Sequence, residues 1–213
     1  MPGVDFKKRY KELYLPPEKP VLVDVPGMSF LMADGEGDPN GNPAFQDAVG
    51  ALYSVSYTLK MLPKKGIVPD GYYDYSVAPL EGLWWLSDGG AFSFDRRGNW
   101  AWTVMIRQPE FVTPDLVNAL LPEVMKKKPN PALKSLRLES FAEGLCVQMM
   151  HGGPFASEPA TVTRMEAFME ENNLLCRLGR GGKHHEIYLT DPKKVMPENW
   201  KTVLRHPVAR KDK

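Results

Sequence analysis

Two stretches of the chain carry the same succession of signals, and that recurrence restricts the fold more than any single motif does. "FLMADGEGDPNGNPAF" (residues 30–45) and "VQMMHGGPFASEPAT" (147–161) each run from an apolar strand through a turn-rich connection into a helix. The first helix, "AFQDAVGALYSVSYTLKML" (44–62), repeats apolar residues at helical spacing: Phe45, Val49, Leu52, Val55, Leu59 and Leu62. It returns to a hairpin, "YYDYSVAPLEGLWWL" (72–86), "SDGG" and "NWAWTVMIRQP" (99–109). The second helix, "EPATVTRMEAFMEENNL" (158–174), returns to "KHHEIYLTDP" (183–192) and then "NWKTVLRHPV" (199–208). A strand, helix, strand, strand order therefore occurs twice, and a tandem repeat accounts for it. Two such βαββ units would join their sheets, or curl them around a shared cleft, with the helices on one face.

"PVLVDVPGMSFLMADGEG" (20–37) reads as a bent strand with Pro26-Gly27 at a bulge or turn, and "SLRLESFAEGLCVQMM" (135–150) as the matching strand. Between the repeats, "TPDLVNALLPEVMKKK" (113–128) predicts a helix capped by Thr113, with Pro114 at its first position. Residues 5–14 predict a short leading helix. The repeats span about 18–110 and 111–208, and with 213 residues the chain is long enough for one domain built from both.

Composition narrows the function classes. A formal net charge of +1 offers no general surface for nucleic acid or membrane, and the basic ends "DFKKRYK" and "RHPVARKDK" read as solvated tails. No apolar stretch is long enough for a signal peptide core or a membrane span, which predicts a cytoplasmic protein. Two cysteines, Cys146 and Cys176, form neither a disulfide framework nor a zinc motif, and both sit in packing contexts. There is no GxSxG elbow, and neither "GRGG" nor "ADGEGDPNGNP" is a phosphate-binding fingerprint.

What remains is a set of acids and rings in strands. In "GKHHEIYLTDP" (182–192), alternation places His184, Glu186, Tyr188 and Thr190 on one face and His185, Ile187 and Leu189 on the other. Only His184 and Glu186 can converge on a metal, with His151 as a conceivable third ligand, so no metal or other cofactor is expected. A carboxylate within an apolar run is costly to bury without a partner, and Tyr188 is the natural partner of Glu186. In "YYDYSVAPLEGLWWL", alternation groups Tyr75, Glu81 and Trp85, with Trp84 facing the opposite way unless a bulge at Pro79 exchanges the two. Trp100 and Trp102 share a face of the partner strand. Aromatic walls with one or two acids suit a flat, apolar or cationic molecule. The plainer reading is that these rings are core.

The order of elements, together with "DYSVAPLEGLWW", "NWAWTVMIRQP" and "GKHHEIYLTDP…WKTVLRHPV", resembles the GyrI-like small-molecule-binding family, in particular its stand-alone bacterial branch. The likeness runs from about residue 18 to 208; "PLEGLWW" and "HHEIYLTDP" are its most specific pieces. It implies an α+β fold in which the tandem βαββ repeats form a pseudo-twofold antiparallel sheet with a central ligand cleft. In the effector domains of multidrug-responsive activators, which are relatives, a buried glutamate in an aromatic cage meets cationic ligands; the matching position here is Glu186, with Tyr188 beside it. Some stand-alone members are implied to hydrolyse the cyclopropane of DNA-alkylating natural products of the yatakemycin and duocarmycin type.

These readings give Glu186, Tyr188 and Glu81 as candidate catalytic residues, and Tyr75, Trp84, Trp85, Trp102, His151 and His184 as candidate ligand contacts. The expected partner is a hydrophobic planar or cationic small molecule. No helix-turn-helix precedes the first strand, which argues against direct nucleic-acid binding; a monomer or homodimer is expected. A drug-sequestering protein, a gyrase or toxin antagonist, and an interaction module with an aromatic core are the competing readings.

Overall fold

The structure, a computed structural model, describes residues 3–211. Two single-turn helices, α1 (Phe6–Arg9) and α2 (Lys11–Tyr14), lead the chain; the Asp5 carboxylate accepts from the backbone N–H groups of Lys7 and Lys8 and caps the first. The elements that follow are β1 (Val21–Val25), β2 (Met28–Glu36), α3 (Pro43–Lys60), β3 (Leu80–Leu86) and β4 (Trp100–Arg107). The connecting helix α4 (Pro114–Lys127) begins as its sequence predicts, with Thr113 capping Leu116 N–H and proline in the first turn. The second half contains β5 (Arg137–Phe141), β6 (Gly144–Gly152), α5 (Glu158–Glu171), β7 (Leu174–Cys176), β8 (His184–Tyr188) and β9 (Lys201–Arg210).

One sheet of nine strands has the order β1-β6-β9-β8-β3-β4-β2-β5, with β7 paired to β9. Every ladder is antiparallel. The order reads the same from either end once the halves are exchanged, which is the pseudo-twofold arrangement. The axis passes between β3 and β8, where the two hairpins meet.

Each half gives its leading strand to the other. The segments expected as single bent strands break at Pro26-Gly27 and at Ala142-Glu143; β1 then pairs with β6, while β5 pairs with β2. This exchange covers the outer edges of β6 and β2 and ties the halves together.

Helices α3 and α5 lie on the same face. Phe45 of α3 packs on Trp84 and Trp102, at ring-centroid distances of 5.8 and 5.1 Å. Met165 and Met169 of α5 pack with Val147, Met149 and Leu204, and Leu204 stands opposite Glu186 in the ladder. Between the two helices the central strands β3 and β8 present the helix-side face of the sheet, here termed the groove. The N-terminal segment covers the other face: Phe6, Leu13 and Tyr14 are buried there, and Arg205 of β9 donates to the Leu13 carbonyl.

Candidate functional site

Strand β8 contributes the centre of the site through alternation. His184, Glu186 and Tyr188 face the groove, opposite Trp84, Gly82 and Leu80 of β3. The Tyr188 hydroxyl donates to Oε2 of Glu186 at 2.7 Å, and His184 Nε2 meets Oε1 of the same carboxyl at 3.1 Å. His184 Nδ1 in turn lies 2.7 Å from His206 Nε2. Burial, with the charge of the neighbouring histidines, holds His206 well below the usual histidine range, so it is neutral. Two proton arrangements satisfy both contacts: either His206 Nε2–H donates to His184 Nδ1 or His184 Nδ1–H donates to His206 Nε2, and in both His184 Nε2–H donates to Glu186.

Gly82 sits under this group for a steric reason. A Cβ there would lie 2.8 Å from Nε1 of Trp84 and 3.1 Å from the Tyr188 oxygen. The indole and the phenol therefore meet across a residue that must have no side chain.

A second carboxyl reaches the site from α5. Gly152-Gly153-Pro154 turns the chain out of β6, with Gly153 at φ +114°, and a 3-10 turn over residues 155–157 leads into the helix. Glu158, in the first turn, is buried at 1% exposure. A carboxyl oxygen of Glu158, one of Glu186 and a ring nitrogen of His184 all lie within 4.8 Å of one another. Burial, then the adjacent Glu186, raises Glu158 well above the ordinary carboxylic range, so it holds its proton more tightly than a free carboxyl does.

Aromatic side chains close the group off. Phe92 stacks flat on His184 at 4.6 Å and 8°, and Phe94 meets its edge at 5.4 Å. Phe155 stands edge-on to Tyr188 at 5.8 Å and packs on Trp200 at 4.8 Å. Beneath this cover, Nε1 of Trp84 and Oε1 of Glu158 are buried without a hydrogen-bond partner among the described residues. The Tyr188 hydroxyl is given to Glu186, and the indole N–H of Trp84 finds no acceptor among the described residues. A buried donor and a buried acceptor left free in one site are what a ligand or a bound water would satisfy.

Several sequence-based assignments are corrected by the register. Glu81 stands opposite Ile187, not Glu186, and so belongs to the other face. There it accepts from Tyr14 and pairs with His185 Nε2 at 3.0 Å, while His185 Nδ1 pairs with Glu143 at 2.9 Å. Burial alone would lower His185, but Glu143 and Glu81 outweigh it and raise the imidazole above its usual range. This is an ionic layer beneath the N-terminal segment, and the second acid of the groove is Glu158.

Trp84 faces the groove and Trp85 the back, where Lys183 Nζ lies 3.6 Å from its ring centroid. Trp102 is on the groove side but lies under α3, fully buried against Phe45 and the backbone of Gly35; it is core. Tyr75 precedes β3 and packs with Phe6 and Phe111, away from the groove. His151 contacts Thr161, Ser157 and the Pro154 carbonyl and so pins the turn that delivers Glu158.

Glu158, Phe92, Phe94, Phe155 and His206 escaped the sequence reading. The one available signal was an acid placed just after a Gly-Gly-Pro turn at a helix start. Glu158 also changes the metal argument, since it and not His151 is the third convergent ligand type. In the present arrangement, however, Glu186 is already hydrogen-bonded by Tyr188 and His184.

The sequence profile of the GyrI-like small molecule binding domain matches residues 18–209. A hydrolase from Listeria innocua is 45% identical, with a TM-score of 0.87, over 97% of this chain and 100% of that one. An uncharacterised conserved protein from the same organism is 48% identical, with a TM-score of 0.89 and the same coverage. The EcmrR C-terminal domain, 11% identical with a TM-score of 0.53 over 91% of this chain and 98% of its own, shares the fold. Comparison with curated proteins finds no match. With nearly its whole length covered by that profile, the chain belongs to the GyrI-like small molecule binding domain family.

Proposed function

We propose that this protein is a cytoplasmic hydrolase that takes a flat, largely apolar molecule into the groove over β3 and β8 and opens a strained cyclopropane ring in it, as a defence against cyclopropane-bearing DNA alkylators. The observation that carries this reading is the buried pair Glu158 and Glu186, whose carboxyl oxygens lie within 4.8 Å of one another, with Glu186 hydrogen-bonded by Tyr188 and His184. The hydrolase from Listeria innocua supports the reaction class. Among the described residues no helix is long and apolar enough to cross a membrane.

Water held by Glu186 and by the proton of Glu158 attacks the cyclopropane CH2. The C–C bond breaks, and its electron pair passes into the conjugated dienone. Glu186 takes the proton lost by the water and returns it to solvent as the product leaves, and the dienone oxygen, now a phenolate, takes one from solvent at that point. Substrate plus water thus gives a phenol bearing a hydroxymethyl group. Tyr188 and His184 hold the base in place. The rings of Phe92 and Phe155 cover the site, so a planar substrate enters by displacing them and, stacked in their place, itself keeps bulk water out.

Incubation with a cyclopropane-bearing alkylator, followed by mass spectrometry, tests this. The expected product carries one added water, and Glu186→Gln or Glu158→Gln should slow its formation by about 10²–10⁴-fold. Unchanged rates in both variants would remove the assignment. The free indole N–H of Trp84 favours a second reading, a sequestering protein; it requires saturable tryptophan quenching with the ligand recovered intact.

A further inference from the structure

Helix α3 shows Phe45 to the central strands, but a different strip of it lines a second concavity. Gly50, Tyr53, Ser54, Tyr57 and Met61 follow one another at helical spacing and face the last turn of α4 across a groove of about 730 Å³. Its floor is apolar and aromatic. Tyr53 and Tyr57 stack at 6.2 Å and 26°, and Tyr57 and Met61 are 51% and 36% exposed. Gly50 adds no side chain, so the floor continues beyond Tyr53.

The rim is basic. Lys65, Lys127 and Lys128 stand around the opening with one acid, Glu123. That acid is already shared, since Lys65 and Lys127 both reach its Oε1 at 2.6 Å. Lys128 has no ion pair among the described residues. Two lysines on one carboxylate and a third unpaired leave a surplus of positive charge over an aromatic floor.

We infer that this α3–α4 groove is a second ligand site, for an amphipathic anion with an aromatic body and a carboxylate, sulfonate or phosphate head. The body would lie on Tyr57 and Met61, and the head would take the charge that Glu123 leaves unneutralised on Lys127 and Lys128. A groove of this size falls within the range of small-molecule sites. Its charge is opposite in sign to that of the Glu158–Glu186 centre, so the two sites select different ligands.

The test uses the full chain and 8-anilinonaphthalene-1-sulfonate, with ethidium as a planar cation. The sulfonate should bind saturably, and the double variant Lys127→Glu/Lys128→Glu should weaken it by about tenfold or more, an effect that shrinks in about 0.5 M salt. Tyr57→Ala should weaken it by about fivefold through lost stacking. Glu186→Gln should leave it unchanged, and ethidium should not compete. Binding that fails to saturate below about 1 mM would overturn the inference. So would affinity insensitive to the lysine reversals, or affinity lost in Glu186→Gln. A dimer seen by sedimentation and dissolved by Tyr57→Ala would also overturn it, because a second copy would then be the occupant.

Discussion

Replacing Gly82 by alanine adds one methyl group where the site has no room for it. The Cβ would stand 2.8 Å from Nε1 of Trp84, 3.1 Å from its Cε2 and 3.1 Å from the Tyr188 oxygen. Comfortable carbon contacts lie at about 3.5–4.0 Å, so two large side chains would each have to retreat by several tenths of an ångström. Neither can do so freely. Trp84 is wedged between Phe45 at 5.8 Å and Trp100 at 5.3 Å, and Tyr188 is held by Phe155 and by its bond to Glu186. Overpacking of this kind costs about 1–3 kcal/mol. Against that, losing a glycine in mid-strand recovers about 0.5–1 kcal/mol of chain entropy. The net expectation is a destabilisation of about 0–2.5 kcal/mol, centred near 1, or a Tm lower by up to about 10 °C for a chain of this size. Urea unfolding followed by tryptophan fluorescence would measure it. Gly98→Ala is the control, because its Cβ would meet nothing within 4 Å; it should stay within about 0.5 kcal/mol of the parent. Gly82→Ala should also weaken ligand quenching, since Tyr188 must move off Glu186. If Gly82→Ala matched the parent in stability and in ligand binding, the packing of Trp84 and Tyr188 over Gly82 would be refuted.

Glu158→Gln should flatten the fall of stability with rising pH. A carboxyl whose folded pKa is raised stabilises fully below its unfolded value of about 4.3, and that contribution is lost as pH rises through the folded value. Comparing urea midpoints of the two proteins from pH 4 upward would show it. His185→Ala should destabilise by about 3–5 kcal/mol, because Glu81 and Glu143 would be left buried without their shared cation. Loss of less than 1 kcal/mol in the same assay would contradict the ionic layer. Trp84→Phe should reduce affinity for a planar ligand while Trp85→Phe leaves it unchanged, as read by fluorescence titration; equal effects would mean that the groove face is wrongly assigned. Phe92→Ala should lower affinity and speed solvent access to His184, measurable by deuterium exchange at its ring C–H.

Much of the architecture was legible in the chain because its signals are local. Periodicity marked α3, Thr113-Pro114 marked the start of α4, and the recurring order of strand, turn, helix and hairpin marked the repeat. Alternation along His184–Tyr188 alone put Glu186 with Tyr188 and sent His185 to the other side, as the ladder has it. Alternation failed across Pro79, where the expected long strand is irregular before Leu80. It could place Glu81 and Trp84 on opposite faces, but it could not say which face was the groove.

The tertiary structure decided the rest because the remaining partners are distant in sequence. Whether an acid in a strand meets another acid depends on ladder register, and register follows from packing the whole sheet against two helices. That packing pairs Gly82 with Glu186, removes Glu81 to an ionic layer under the N-terminus and brings Glu158 in from another element. It also sorts identical residue types by fate: Trp84 into the site, Trp102 into the core, Trp85 under a lysine. The sequence by itself determined which side chains share a strand face and that the chain repeats; only the folded sheet determined which of those faces encloses a pair of carboxyls, because burial and proximity are properties of the assembled layers.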